Sequence, residues 1–170
     1  MRMHIFILGI LVILLYGCES KRKNRMIQEL MNESVVGKTL PVIDSLYQDN
    51  MGMRYLVLLC SPHDCGPCLD KAFETLRIIN QSNTFNKKWV VSVLDEPSSL
   101  QRRYNYYDYT IFDGDDMIRK ALKYIPTPVF FVADSDNNIV LCHFPTKDDE
   151  VKEISNHIIN NLILTNYETN

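Results

Sequence analysis

Residues Tyr55 to Cys60 read YLVLLC, six apolar side chains in unbroken succession. An alternating pattern would mark a strand with one wet face. An unbroken run of this length fits a central parallel strand buried on both faces. It leads directly into SPHDCGPC, after which Leu69, Ala72, Phe73, Leu76 and Ile79 recur at spacings of three and four. That is the period of an amphipathic helix. The chain is thereby committed to a buried strand, a short loop carrying Cys65 and Cys68, and a helix that starts on that loop.

The remaining sequence supplies partners for that strand. Trp89–Leu94 reads as a second buried strand, followed by helical or irregular sequence through Tyr109, a short TIF strand, and a helix from Asp115 to Tyr124. IPTPVFFVADSDNNIVLCHF reads as a hairpin, with strands Val129–Ala133 and Ile139–Phe144 joined by SDNN. Thr146 is expected to cap the last helix, whose apolar stripe is Val151, Ile154, Ile158 and Leu162; the acids at 148–150 suit its N-terminal dipole end. Ahead of the central strand, VVGKTLPVIDSL (35–46) reads as an edge strand or hairpin, because Pro41 has no place in a central ladder; Asp49–Gly52 make a turn. The order β-α-β-α-β-β-α predicts an α/β fold, a mixed sheet with helices on both faces.

The chain of 170 residues is one domain with some extra length, and its 46% hydrophobic and 23% charged composition is ordinary for a globular protein. A core of this size needs no staple. A net charge of −3 gives no basic face for nucleic acid, so that class of partner is set aside.

The extra length lies at the start. MRMHIFILGILVILLYGCES places Arg2 before an apolar run from Ile5 to Tyr16. A run of about 12 residues suits a signal-peptide core and is short for a membrane span. LLYGC resembles a bacterial lipoprotein box, with an unusual Tyr16. On that resemblance, residues 1–17 are a leader, Cys18 carries lipid, and 18–34 form a tether with a short helix at Met26, Ile27, Leu30 and Met31. A retained signal anchor is the plainer alternative. Lys21, Arg22, Lys23 and Arg25 follow, placed either against anionic headgroups or in a solvated tether. Either way the domain, 35–165, with a tail at 166–170, is expected outside the cytoplasm, on the periplasmic side of a bacterial envelope. Disulfides persist in such compartments.

CGPC at a strand-to-helix junction has a direct physical reading. The first turn of a helix presents free N–H groups and a positive dipole end. A thiolate there is stabilised, so Cys65 is expected to ionise below the free value of about 8.5 and to attack a substrate disulfide. Cys68, one turn inward, is expected to resolve the mixed disulfide. Pro67 suits the first turn because its missing N–H would have no partner there, and Gly66 permits a close approach. Two other readings compete. A CxxC can be half of a zinc site, with Cys60, His63, Cys142 and His143 as candidate completing ligands for zinc or copper. It can also be a structural disulfide, although so short a loop removes little unfolded-state entropy.

Residues 35 to about 164 resemble the thioredoxin fold, and specifically the membrane-tethered TlpA/ResA-like thiol-disulfide oxidoreductases. VVGKTLPVIDSL is similar to that family's opening G-x-x-x-P strand, LVLLCSPHDCGPC to its strand and active-site loop, and TIFDGDDMIRKALKYIPTP through FFVADSDNNIV to its T-P-x-x-F-x-I-D-x-x-G-x-I-V run. The resemblance implies a cis Thr127–Pro128 bond beside Cys65, where the Thr127 backbone pairs with an extended substrate segment and the proline keeps metal from the sulfurs; Pro126 is the competing candidate. It implies no cofactor beyond the Cys65–Cys68 pair. It also implies protein disulfide or dithiol substrates and, for a reductase, a membrane electron donor.

The chain departs from the family in two places. Asp64 stands where an aromatic residue usually precedes the first cysteine. A carboxylate there opposes thiolate formation, with His63 as an offset; solubility of the loop is the alternative role for both. Leu59 occupies the position of the usual buried acid, leaving Glu96 as a possible substitute proton acceptor. Cys60 and Cys142 read as core thiols, with a regulatory bridge between them as the sharper option. Tyr104, Tyr106, Tyr107 and Tyr109 read as packing of a long connection or as a partner surface.

The expected activity is therefore a lipid-anchored thiol-disulfide oxidoreductase, with CGPC leaning toward a reductase. The alternative is a redox-inactive or metal-handling binding module on the same fold. A peroxidase is a third class. Pro62 precedes Cys65 as that class requires, but the threonine expected between them is missing.

Overall fold

The computed structural model describes residues 26, 28–41, 54–61, 63–81, 87–92 and 110–163. The leader and Cys18, Asp49–Gly52, Pro62, Glu96, the four tyrosines of 104–109 and the tail at 166–170 lie outside the described residues. The chain divides into two units, Met1–Ser34 and Val35–Asn170. In the first, residues 28–34 are helical, and the Ser34 hydroxyl donates to the Met31 carbonyl at 2.8 Å.

The second unit runs β1 (Tyr55–Cys60), α1 (Gly66–Gln81), β2 (Lys87–Ser92), β3 (Thr110–Asp113), α2 (Met117–Ala121), β4 (Val129–Ala133), β5 (Ile139–His143) and α3 (Val151–Ile163). The five strands form one mixed sheet in the order β3-β2-β1-β4-β5. β1 is central, parallel to β2 on one side and antiparallel to β4 on the other. Its six side chains are fully inaccessible, as a two-sided burial requires.

Strand alternation divides β1 between two faces. Leu56, Leu58 and Cys60 join Phe130, Val132 and Leu141 in a core sealed by the apolar stripes of α1 and α3. The intervening residues face the other way: Val57 pairs with Phe131, and Phe131 with Cys142. Cys60 and Cys142 therefore lie on opposite faces of the sheet, on strands separated by β4. Both are buried free thiols, so the bridge considered from sequence is excluded in this fold. They cannot complete a common metal site either, and among the described residues no three of His, Cys, Asp and Glu are grouped as ligands.

Of the edge strand or hairpin expected at 35–46, the described residues form a bridge between Thr39 and Asn138, flanked by main-chain bonds from Gly37 to Ile139 and from Leu40 to Asn137. Pro41 follows at once and has no N–H to extend the ladder; residues 42–46 lie outside the described set. The helix expected over 115–124 is shorter. Asp113 takes the N–H groups of Met117 and Ile118 at 2.8 and 2.9 Å, and positive φ at Lys123 and Tyr124 ends the run. Thr146 does not cap α3, which starts at Val151 with the Glu150 carbonyl accepting from Glu153 and Ile154. Thr146 instead closes a separate turn with Asp149. In the β4–β5 hairpin, Asp134 Oδ1 gathers the N–H groups of Asp136 and Asn138, and Asn137 sits at φ 66. Asparagine tolerates that left-handed conformation better than most residues.

Candidate active site

The C-terminal end of β1 delivers the chain to the cysteine loop. Ser61 is buried, and its carbonyl accepts the Asp64 N–H at 3.1 Å while its hydroxyl accepts the His63 N–H at 3.2 Å. These short-range bonds tie His63 and Asp64 back to Ser61, and α1 begins just after them. The Cys65 carbonyl accepts the Leu69 N–H at 2.9 Å. Cys65 is thus the half-in residue at the helix start, and Gly66, Pro67 and Cys68 form the first turn, where main-chain N–H groups lack helical partners.

Cys65 is exposed and Cys68 is partly buried; both are free thiols. The two side chains lie close enough for Cys65 to bear on the ionisation of Cys68. Burial, then Cys65 and its charge, then the Asp64 carboxylate push the Cys68 thiol up to about 11; an N–H from Lys147 works in the opposite direction. Cys60, at the end of β1, is driven further up by burial and by Asp64. Cys142 is raised to about 12 by burial alone. A nucleophile has to be accessible, and of these sulfurs only Cys65 is exposed.

The second wall of the site is the loop between α2 and β4. The Thr127–Pro128 peptide bond is cis. Pro128 is buried, whereas Thr127 is partly accessible and donates its hydroxyl to Asp64 Oδ1 at 2.5 Å. The other Asp64 oxygen accepts the Ser61 N–H at 2.7 Å. Asp64 therefore does more than solubilise the loop: it joins the turn before Cys65 to the residue before Pro128. Burial raises its pKa; bonds from Thr127 and Ser61 and the charges of Arg119 and His63 offset that in part. Leu59 is fully buried on the sheet face away from α1, so the acid of this site enters from the loop and not from the strand.

A third wall was not anticipated from sequence. The Lys147 main-chain N–H, in the turn between β5 and α3, acts on the Cys68 thiol by drawing its pKa down. Asp149 fixes the turn by accepting the Thr146 N–H at 2.7 Å, with His143 Nε2 at 3.4 Å. That last contact lacks hydrogen-bond alignment. No residue type advertises a main-chain donor. Ser61 and Asp64, by contrast, show the short spacing at which such side chains bond to nearby backbone.

No protein-family model matches the chain, and no curated protein matches it. Solved structures do. A secreted disulfide oxidoreductase of Mycobacterium tuberculosis, described as homologous to E. coli DsbE, superposes with a TM-score of 0.53 at 18% identity, covering 75% of this chain and 96% of that one. The thioredoxin domain of a Bacteroides vulgatus thiol-disulfide oxidoreductase gives 0.56 at 13% identity, covering 75% and 98%. A thiol:disulfide interchange protein from Bacteroides sp. gives 0.54 at 14%, covering 76% and 91%. The fold is thioredoxin-like. Within this thioredoxin-like fold the cysteine pair sits where β1 meets α1, flanked by the Thr127–Pro128 loop and the Lys147 turn.

Proposed function

We propose that this chain is a thiol-disulfide oxidoreductase that acts on protein disulfides outside the cytoplasm, tethered by lipid on Cys18. The observation that carries the reading is the cysteine pair. An exposed sulfur stands at a helix N-terminus, and a recessed sulfur lies within bonding reach one turn on. In the reductive direction, the Cys65 thiolate attacks a substrate disulfide and releases one substrate sulfur as a thiolate. Cys68 then attacks Cys65 Sγ and releases the second. Two electrons pass to the substrate, and the protein is left with a Cys65–Cys68 disulfide. Gly66 and Pro67 leave the approach to Cys65 open, and the main chain at Thr127–Pro128 is placed to pair with an extended substrate segment.

The reductive direction rests on the Gly-Pro pair between the cysteines. Thioredoxin poises at about −270 mV and a strong oxidant such as DsbA at about −120 mV. A reductase in an oxidising compartment needs electrons from a membrane partner. The apolar run before Cys18, together with the solved neighbours described as secreted or as interchange proteins, supports the extracytoplasmic placement. Among the described residues no helix is long and apolar enough to cross a membrane.

The test is dithiothreitol-driven reduction of insulin. The protein accelerates it, and Cys65→Ser does not. No acceleration by the intact chain overturns the reading. Cys68→Ala should hold substrates on Cys65 as mixed disulfides, so their identity can be read by mass spectrometry. Fatty-acid labelling that is lost in Cys18→Ser tests the anchor.

A further inference from the structure

We propose that Asp64 is a positioning residue that gives this site its selectivity for peptide disulfides over small ones, by holding the Thr127 main chain against the loop that carries Cys65. The inference rests on the dithiol reading above and assigns a further residue of the same site.

The sheet brings the two residues together. β1 and β4 are antiparallel neighbours, and Leu59 opposite Val129 is the pair at the cysteine end of their ladder. Beyond that pair, one chain runs on through Cys60 and Ser61 to Cys65, and the other arrives through Thr127 and Pro128. Asp64 is fastened to the first chain. Its N–H donates to the Ser61 carbonyl at 3.1 Å, and its Oδ2 accepts the Ser61 N–H at 2.7 Å. With that oxygen held, Oδ1 reaches the second chain and accepts the Thr127 hydroxyl at 2.5 Å. Asp64 is also the covalent neighbour of Cys65, with the two Cα atoms about 3.8 Å apart across one peptide bond. The carboxylate thus sets where Thr127 stands relative to the exposed sulfur.

The bond uses the Thr127 side chain and leaves its N–H and C=O to other partners, and the residue is partly accessible. A substrate that pairs through its own backbone needs that main chain at a fixed distance from Cys65, whereas a disulfide without a backbone does not. The covalent step is the same for both. Cys65 Sγ bonds to one substrate sulfur, the substrate disulfide breaks, and the other sulfur leaves as a thiolate that takes a proton from water. Positioning requires the hydrogen bonds of Asp64 and not its charge. An amide at this place can accept the Ser61 N–H with its oxygen and donate to Thr127 Oγ1 with its nitrogen.

The test uses the reduced full chain in detergent with Cys18→Ser. Two oxidants are compared: a linear peptide dimerised through one cystine, and bis(2-hydroxyethyl) disulfide, which has no peptide backbone. Acid quench and thiol labelling give the rate at which each oxidises the Cys65–Cys68 pair, and the readout is the ratio of the peptide rate to the small-disulfide rate. Thr127→Val and Asp64→Ala are each expected to lower that ratio at least about tenfold, the scale of a hydrogen bond to a charged group. Their combination should lower it no further than either alone, because both remove one bond; additive losses overturn the proposal. Thr127→Ser and Asp64→Asn keep the bond and should stay within about threefold of the parent, the scale of a weakened hydrogen bond. An unchanged ratio in Thr127→Val overturns the proposal. So does a fall in Asp64→Asn as deep as that in Asp64→Ala, which would assign the effect to charge. Should Thr127→Val not fold, the two Asp64 variants decide by the same criteria. If the unsubstituted chain is oxidised by neither disulfide, the dithiol reading falls and takes this inference with it. If it is oxidised by both and the ratio does not move in the variants, the Asp64 assignment alone is wrong.

Discussion

Thr127 donates its hydroxyl to the Asp64 carboxylate across 63 residues of sequence, joining the turn that carries Cys65 to the loop that carries Pro128. The bond is partly shielded from water, and the other Asp64 oxygen, Oδ2, is engaged by the Ser61 N–H. Removing either side chain leaves the other short of a partner. Asp64→Ala and Thr127→Val are each expected to cost about 1–2 kcal/mol of stability. The double variant should cost less than their sum by about 1 kcal/mol, since the two residues act on one bond. Urea unfolding of the four proteins measures this; strictly additive costs would show that the bond contributes nothing.

Asp64 and Asp149 should give opposite pH signatures. The folded pKa of Asp64 is raised above the ordinary 3.8, by burial first. Its contribution is fully present below the unfolded value and is lost as pH rises through the folded one. Asp149 is also pushed up by burial, but His143 and the two Thr146 bonds outweigh that and hold its pKa below 3.8. Its contribution is present above the unfolded value and is lost as pH falls through the folded one. The stability advantage of the parent over Asp64→Asn should therefore shrink as pH rises from 3 toward neutrality. The advantage over Asp149→Asn should grow over the acid part of that range. Urea midpoints at a series of pH values distinguish the two, and parallel slopes would contradict both assignments.

How far these features could be read from sequence follows from their range. The β1–α1 junction was legible because an unbroken apolar run and a three-to-four period are both local and sit side by side. Cys65 and Cys68 were legible for the same reason. The Asp64–Thr127 bond was not, because only the fold brings those residues together; read from sequence, Asp64 is a charge beside Cys65 with the adjacent His63 as its offset. Lys147 contributes a main-chain group, which leaves no trace in residue type. Thr146 was misplaced for an instructive reason. A threonine three residues before an acid carries the signature of a helix start, and it does form bonds between the ends of a turn, but that turn closes before α3 begins.

The four cysteines of the second unit should separate by alkylation. Cys65 is exposed, Cys68 is partly buried and raised to about 11, and Cys60 and Cys142 are buried with thiols pushed up by burial. Since the thiolate is the reactive form, brief iodoacetamide treatment at pH 8 of the reduced protein should modify Cys65 first and Cys68 much more slowly. Cys60 and Cys142 should be modified only after denaturation. Peptide mass spectrometry reads the order. Labelling of Cys142 before Cys68 in folded protein would contradict the burial described for the hairpin strand.

Asp113 is expected to be the costliest single carboxylate to remove. It is buried at the end of β3, and its two oxygens take the first free N–H groups of α2. α2 in turn leads through Ile125 and Pro126 into Thr127–Pro128, and it carries Arg119, whose charge helps keep Asp64 ionised. Asp113→Ala leaves the buried Ile118 N–H and the half-buried Met117 N–H without this acceptor, at an expected cost of about 2–4 kcal/mol from two charge-assisted bonds. Asp113→Asn keeps one acceptor oxygen and should cost about half as much. Loosening α2 should also reach the substrate wall, so in the insulin assay Asp113→Asn is expected to raise KM more than it lowers kcat. An unchanged KM in a folded variant would show that α2 does not set the Thr127–Pro128 loop.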